Sequence, residues 1–161
     1  YRGGLPLFAV ALGVLLLDRL TKQLAREWLQ SRGSVPLIPG WVHLTYTENY
    51  GAAFGLLQRQ RLLFVAVGVA VVVGIFLYAR WQGTQRWERV ALGLLLGGAV
   101  GNLIDRVLQG FVVDFIELPY WPVFNVADSA IVLGAGLLAL LHLRLPGEGG
   151  QRRQENVADA S

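Results

Sequence analysis

Cysteine is absent from this 161-residue chain, which excludes disulfides, thiolate metal sites and a cysteine nucleophile. Histidine is nearly absent: His43 and His142 are too few for an all-histidine metal cluster. Methionine is missing too, so Tyr1 is not expected to be a translation start, and the N-terminus is expected to be processed, trimmed or engineered. Charge is scarce. Only 16% of the residues are charged, against about 25% in a typical soluble domain, while 54% are hydrophobic and the mean hydropathy is +0.48. The net charge of +3 does not point to nucleic acid, because the arginines flank apolar runs instead of forming a stripe. At this length one unit is expected, residues 1–161 forming a single integral membrane domain.

What the chain has in abundance is long apolar runs. Four stand out, about 5–24, 62–79, 90–108 and 124–143. Each is close to the roughly 20 residues a helix needs to cross about 30 Å of hydrocarbon. A buried bundle in a soluble protein is the disfavoured alternative, because so little polar sequence remains to cover such segments. The first run is read as a retained span and not as a signal peptide, since it ends in DRLTKQ, without a small-residue cleavage site. The loop of about 30–60 contains WVHLTYT (Trp41 to Thr47), rich in aromatic and β-branched residues, which predicts a short strand or hairpin. The expected fold is therefore an all-α membrane protein with four transmembrane helices. A small β-containing extracytoplasmic subdomain is expected between the first two. The Gly/Gln/Arg-rich tail, about 146–161, is expected to be disordered.

Arginine placement predicts orientation. Arg80, Arg86 and Arg89 lie between the second and third runs, and Arg144, Arg152 and Arg153 lie in the tail. The connection carrying Asp114 and Glu117 has no lysine or arginine, so both termini are expected in the cytoplasm. Arg32, Arg59 and Arg61 in the first outer loop reduce the contrast.

Gly93, Gly97 and Gly101 recur at intervals of four and predict a close helix–helix contact. Asn102 with Asp105, and Asn125 with Asp128, repeat an i, i+3 arrangement, while Asp18 and Lys22 lie at i, i+4 and can pair. The topology brings Asp18, Lys22, Asp105, Arg106, Asp114 and Asp128 to one depth, the outer boundary of the membrane. Ionisable groups placed there are functional candidates by default. Neither histidine has a serine and an acid nearby in sequence. A Ser129–Lys22 dyad is conceivable, but Ser129 serves as readily in helix packing. Two carboxylates are the best remaining equipment. Held close together they cannot both ionise. The ionised one can take a proton from water attacking a peptide carbonyl, while the protonated one polarises that carbonyl and supplies the amine's proton. Periodicity does not say which two of the acids form the pair.

Five motifs do. LDRLTK (17–22), ENYGAAFG (48–55), GAVGNLIDR (98–106), VVDFIE (112–117) and FNVADSA (124–130) occur in that order. Together they closely resemble the lipoprotein signal peptidases, or signal peptidase II, over essentially the whole chain except the tail. The resemblance implies a membrane aspartyl endopeptidase with Asp114 and Asp128 as the catalytic pair. Asp105 is implied as a supporting residue, paired with Arg106 or with the Asp18/Lys22 set. Asn49, Gly51, Asn102, Arg106, Asn125 and Ala127 match positions that line the site or hold the substrate backbone. Tyr50 stands where the family most often has threonine. Neither aspartate is followed by Thr/Ser-Gly, so the motif of the soluble aspartic proteases is absent. The implied substrate is a prolipoprotein whose cysteine already carries diacylglyceryl, cut on the N-terminal side of that cysteine. The implied setting is the bacterial cytoplasmic (inner) membrane, with membrane lipid as a partner, a monomeric chain, and no metal or organic cofactor. The competing readings are a small proton- or cation-coupled transporter and a scaffold subunit. The acids gather near one face and no repeat is evident, unlike a transporter, and a scaffold leaves the ionisable cluster unexplained.

Overall fold

A computed structural model describes residues 5–51, 60–81 and 85–143. The expected disordered tail and residues 52–55 of the ENYGAAFG motif lie outside the described residues. The order of elements is α1 (Leu5–Leu29), β1 (Val35–Ile38), β2 (Val42–Asn49), α2 (Arg61–Trp81), α3 (Arg86–Leu108), β3 (Val112–Leu118), β4 (Trp121–Phe124) and α4 (Val126–Leu143). Helices α2, α3 and α4 are long and apolar enough to cross a membrane. In α1, four cationic or acidic side chains from Asp18 to Arg26 interrupt the apolar composition. The reason is visible in its two faces. Phe8, Leu12, Leu16, Leu20 and Leu24 form an exposed stripe at i, i+4 spacing, while Leu7, Ala11, Asp18, Lys22, Ala25 and Leu29 are buried. The helix is inside out relative to a soluble one: apolar outward, with Asp18 and Lys22 among the residues turned inward.

Helix α3 is the hub, packed against α1, α4 and α2. Its buried glycines set the spacing. A Cβ added at Gly93 would lie 2.7 Å from the Leu7 carbonyl oxygen, and one at Gly97 would lie 2.6 Å from that of Ala11. One at Gly101 would lie 2.6 Å from the Asp18 carboxylate. The stripe read from the sequence thus brings α1 into backbone contact with α3, and it ends where the charged groups begin.

The four strands form one antiparallel sheet in the order β1-β2-β3-β4. The β1–β2 hairpin was expected between the first two helices. The other half of the sheet was not: the connection from α3 to α4, expected as a loop, supplies β3 and β4. Its Val112–Leu118 segment is β-rich but interrupted by Asp114 and Glu117, which hides the strand when the sequence is read alone. Val113 and Phe115 pack with Ala25 and Leu29, fixing the sheet on the end of α1. The α1 helix therefore runs five residues beyond Leu24, the expected end, because this last turn is buried under the sheet.

The glycine contact gives opposite signs for two alanine substitutions. Gly97→Ala must push backbone away, a cost of about 1–3 kcal/mol, which lowers the melting temperature in detergent by several degrees. Gly13→Ala on α1 meets nothing within 4 Å and gains helix propensity, so its melting temperature is expected to hold or rise. Equal effects in thermal melts of the two variants would contradict the packing described.

Candidate active site

The site forms where the buried ends of α1, α3 and α4 meet β2 and β3. Helix α4 begins with a reciprocal cap. Asp128 donates its backbone N–H to Asn125 Oδ1 at 2.9 Å, and Asn125 donates its own to Asp128 Oδ2 at 3.2 Å. The Ala127 N–H, another donor of the first turn, goes to Asp18 Oδ1 on α1 at 3.1 Å. Negative groups thus face a helix N-terminus, where the backbone dipoles favour them. Ala127 itself is fully buried and packs between the helices.

A charge-balanced block lies behind this cap. Lys22, only 2% exposed, places its ammonium 2.9 Å from Asp18 Oδ2, 2.8 Å from Asp105 Oδ2 and 3.0 Å from Asn102 Oδ1. Asp105 also pairs through Oδ1 with Arg19. The expected Asp18–Lys22 pair is present, and of the two partners foreseen for Asp105 the structure brings it the Asp18/Lys22 set. Arg106 instead lays its guanidinium over the Phe64 ring, 4.9 Å from the centroid. Arg19 is the residue that sequence reasoning missed. Its pairing with Asp105 runs between two helices, so no helical spacing in the sequence signals it.

Asp114 and Asp128 stand on the other side of two asparagines. Asn102 donates from Nδ2 to Asp128 Oδ1 at 2.7 Å. Asn125, fully buried, donates from Nδ2 to Asp114 Oδ1 at 2.6 Å. The other Asp114 oxygen, Oδ2, accepts from Asn49 Nδ2 at 2.9 Å. The β2–β3 register pairs Thr47 with Asp114, so Asn49, two residues along, shares the face and reaches across diagonally. The Asn49 amide is held in turn by the Gly51 N–H, which donates to Oδ1 at 3.0 Å. Tyr50 finds a local role: its ring lies 5.2 Å from that of Phe111 and its hydroxyl donates to Glu48 at 2.8 Å. Burial, and next the charge of Asp128, pushes the Asp114 carboxyl up to about 7, while the bonds from Asn49 and Asn125 pull the other way. Among the described residues, no group of three or more histidine or acidic side chains is arranged to hold a metal ion.

Two carboxylates close enough to repel, one of them holding its proton to near neutral pH, set in a helical membrane protein, are the equipment of an aspartic membrane peptidase. Comparisons with known proteins agree. A family described as Signal peptidase (SPase) II matches residues 10–144. The chain is 46% identical over 148 residues to the lipoprotein signal peptidase of Moorella thermoacetica, covering 91% of this chain and 99% of that one. It is 50% identical over 131 residues to that of Caldanaerobacter subterraneus, covering 80% and 89% of the two. A solved structure described as a bacterial membrane enzyme, obtained by the in meso method at 2.3 Å, superposes with a TM-score of 0.82 at 31% identity, covering 89% of this chain and 92% of that one. A second, obtained by the same method at 1.9 Å, gives 0.79 at 30% identity, with 86% and 93% covered. The chain belongs to the signal peptidase II family. It is a peptidase of the aspartic type that acts on lipoprotein precursors, and the transporter reading has no support in these matches.

The charge block and the dyad are expected to respond in opposite ways. Lys22→Ala strands two buried carboxylates and Asp105→Asn removes one member of the block, changes that typically cost about 3–5 kcal/mol each. Both are expected to lower the thermal midpoint in detergent by roughly ten degrees. Asp114 holds its proton more tightly folded than at its unfolded value of 3.8. Its ionisation therefore opposes folding: stability falls as pH rises from about 4 to about 7 and is flat above. Asp114→Asn should remove that slope and melt no lower than wild type at pH 8. A midpoint well below wild type at pH 8 would contradict the crowded-carboxylate description.

Proposed function

We propose that Asp114 and Asp128 are the catalytic pair and that the peptidase cuts on the N-terminal side of a diacylglyceryl-modified cysteine. The observation that carries this reading is the shared asparagine cradle. Asn125 contacts both acids, through its side chain to Asp114 and its backbone to Asp128, so one residue ties the pair together. Asp114, held up near 7, carries the proton and hydrogen-bonds the scissile carbonyl oxygen. Asp128 takes a proton from the attacking water while Asp114 gives its proton to the carbonyl oxygen, giving a tetrahedral diol. The diol hydroxyl returns its proton to Asp114 as the carbonyl re-forms. The proton on Asp128 passes to the amide nitrogen as the C–N bond breaks, and the lipidated cysteine leaves as the amine. Both acids finish as they began. Asn49 and Asn102 orient the two carboxylates. Arg106, on the turn after Asn102, is suited to hold a substrate backbone carbonyl.

The same reading makes α1 a fourth membrane span, supported by its exposed leucine and phenylalanine stripe. The charges that depress its hydropathy are answered inside the bundle: Asp18, Lys22 and Asp105 are nearly inaccessible. Both termini then lie in the cytoplasm of a bacterial cell and the sheet lies on the outer face of the cytoplasmic membrane. There an exported precursor presents its peptide while its acyl chains stay in the bilayer. A single chain supplies every group named, so a monomer suffices.

The decisive assay is incubation of purified enzyme with a diacylglyceryl-modified prolipoprotein, following release of the signal peptide. Asp114→Asn and Asp128→Asn should each reduce kcat by at least about a thousandfold while remaining folded and membrane-inserted. Appreciable turnover by either would overturn the assignment. The activity of the wild type should fall as pH rises through about 7, when Asp114 loses its proton. Asn49→Ala removes a bond that favours the ionised form, so its alkaline limb should move to higher pH. For topology, a reporter joined between α2 and α3 should read cytoplasmic and one joined at Pro119 should read extracytoplasmic; the reverse would place the pair on the wrong side.

A further inference from the structure

The side chain of Asn102 sits between a cation and a carboxylate, and its orientation is determined by what surrounds it. Its Oδ1 accepts from Lys22 Nζ at 3.0 Å and from Asn125 Nδ2 at 3.2 Å, and its Nδ2 donates to Asp128 Oδ1 at 2.7 Å. A side-chain amide has an acceptor at one end and donors at the other. Turned over, it would aim N–H at an ammonium and a carbonyl oxygen at a carboxylate. Asn125 fixes this only weakly, because its Nδ2 has two hydrogens for three acceptors, Asn102 Oδ1, Asp114 Oδ1 and the Val113 carbonyl. Lys22 fixes it firmly, since its ammonium, held between the carboxylates of Asp18 and Asp105, donates to Asn102 Oδ1 at 3.0 Å and would repel an N–H placed there.

Building on the proposed role of Asp128, we infer that Lys22 is a positioning residue for that carboxylate, acting through Asn102, whose amide it locks with the nitrogen toward Asp128. The charge of Lys22 does not do this at long range. Asp18, Asp105, Arg19 and Lys22 sum to zero, so the block as a whole carries no net charge. What reaches Asp128 is the direction of one amide dipole. The other groups facing Asp128 are Asp114 from β3, Arg106 from α3 and Asn125 at the start of α4. From α1, Asp18 pairs with Lys22 and reaches α4 at the neighbouring Ala127 N–H. Lys22 touches neither of the reacting acids: its charge draws Asp114 downward, and its route to Asp128 is the lock through Asn102.

The test is the acidic limb of kcat against pH, read on detergent-purified, folded enzyme with the lipid-modified precursor. Lys22→Met alone would strand two carboxylates, so it is made together with Asp18→Asn, which leaves Arg19 and Asp105 as a neutral pair. Asp18→Asn alone is the reference. Relative to it, the double variant should show its acidic limb about one pH unit higher, because the base has lost a hydrogen bond that favours its ionised form. KM should change little. In an Asn102→Ala background, which already lacks the donor, adding Lys22→Met and Asp18→Asn should move the limb no further. An unmoved limb in the double variant, or an equal further shift without Asn102, overturns the inference. Asp128→Asn is assayed beside them. If it turns over substrate, the dyad reading fails; if it is inert while the limb does not move, only the role of Lys22 fails.

Discussion

A single ammonium, that of Lys22, answers two carboxylates and an amide oxygen, on its own helix and on α3, with almost no access to solvent. Charges in such a place are tolerable only when they are closed on one another, since desolvation otherwise costs several kcal/mol per ion. Closure demands that α1 and α3 approach until side chains as short as aspartate can meet, and that is the work of Gly93, Gly97 and Gly101. At Gly101 the Asp18 carboxylate occupies the space a Cβ would fill. The small-residue stripe and the ion cluster are thus one device. The glycines bring the helices together, and the charges set the register in which they stop.

The same block determines what the neighbouring acids can be. With two anions and two cations balanced behind the asparagines, the proton is placed by burial, by the mutual repulsion of Asp114 and Asp128 and by a set of neutral donors, with the charges of Lys22 and Arg106 acting beside them. Asp114 is the more deeply buried partner of a strand, and its carboxyl is pushed to about 7 by burial first and by Asp128 second. Hydrogen bonds from Asn49 and Asn125 moderate that shift instead of reversing it. A lysine placed directly on the pair would have lowered it and disarmed the acid. Kept one amide away, Lys22 moderates the Asp114 shift without cancelling it, while Asn102 holds Asp128.

The apolar runs, the glycine stripe and the Asp18–Lys22 pair were legible in the sequence because each is a local periodicity. The catalytic candidates were legible only as a cluster, and the resemblance of VVDF and FNVADS to a family chose among them. Three features were not legible, each for a physical reason. The last turn of α1 was missed because its burial comes from Val113 and Phe115, far away in sequence. Strand β3 was missed because its acids interrupt the alternation, and those acids are there for the site and for pairing with β2. Arg19 was missed because it is partly exposed and pairs across helices with Asp105, at a separation no helical spacing reveals.

The dyad joins two kinds of secondary structure, and this governs how it can be held. Asp114 projects from β3 and Asp128 from the first turn of α4, with only the short β3–β4 hairpin and the Asn125 cap between them. A pair built on one helix would have its separation fixed by helical geometry. Here the separation depends on where the sheet sits relative to α4. Phe115 and Val113 pin the sheet to α1, and Asp18 pins α1 to α4 through the Ala127 N–H. Helix α1 is therefore the common reference for both halves of the site although it contributes neither Asp114 nor Asp128. Its buried charges, costly to desolvate, place the strand and the helix cap in one frame, within which Asn125 can reach both acids at once.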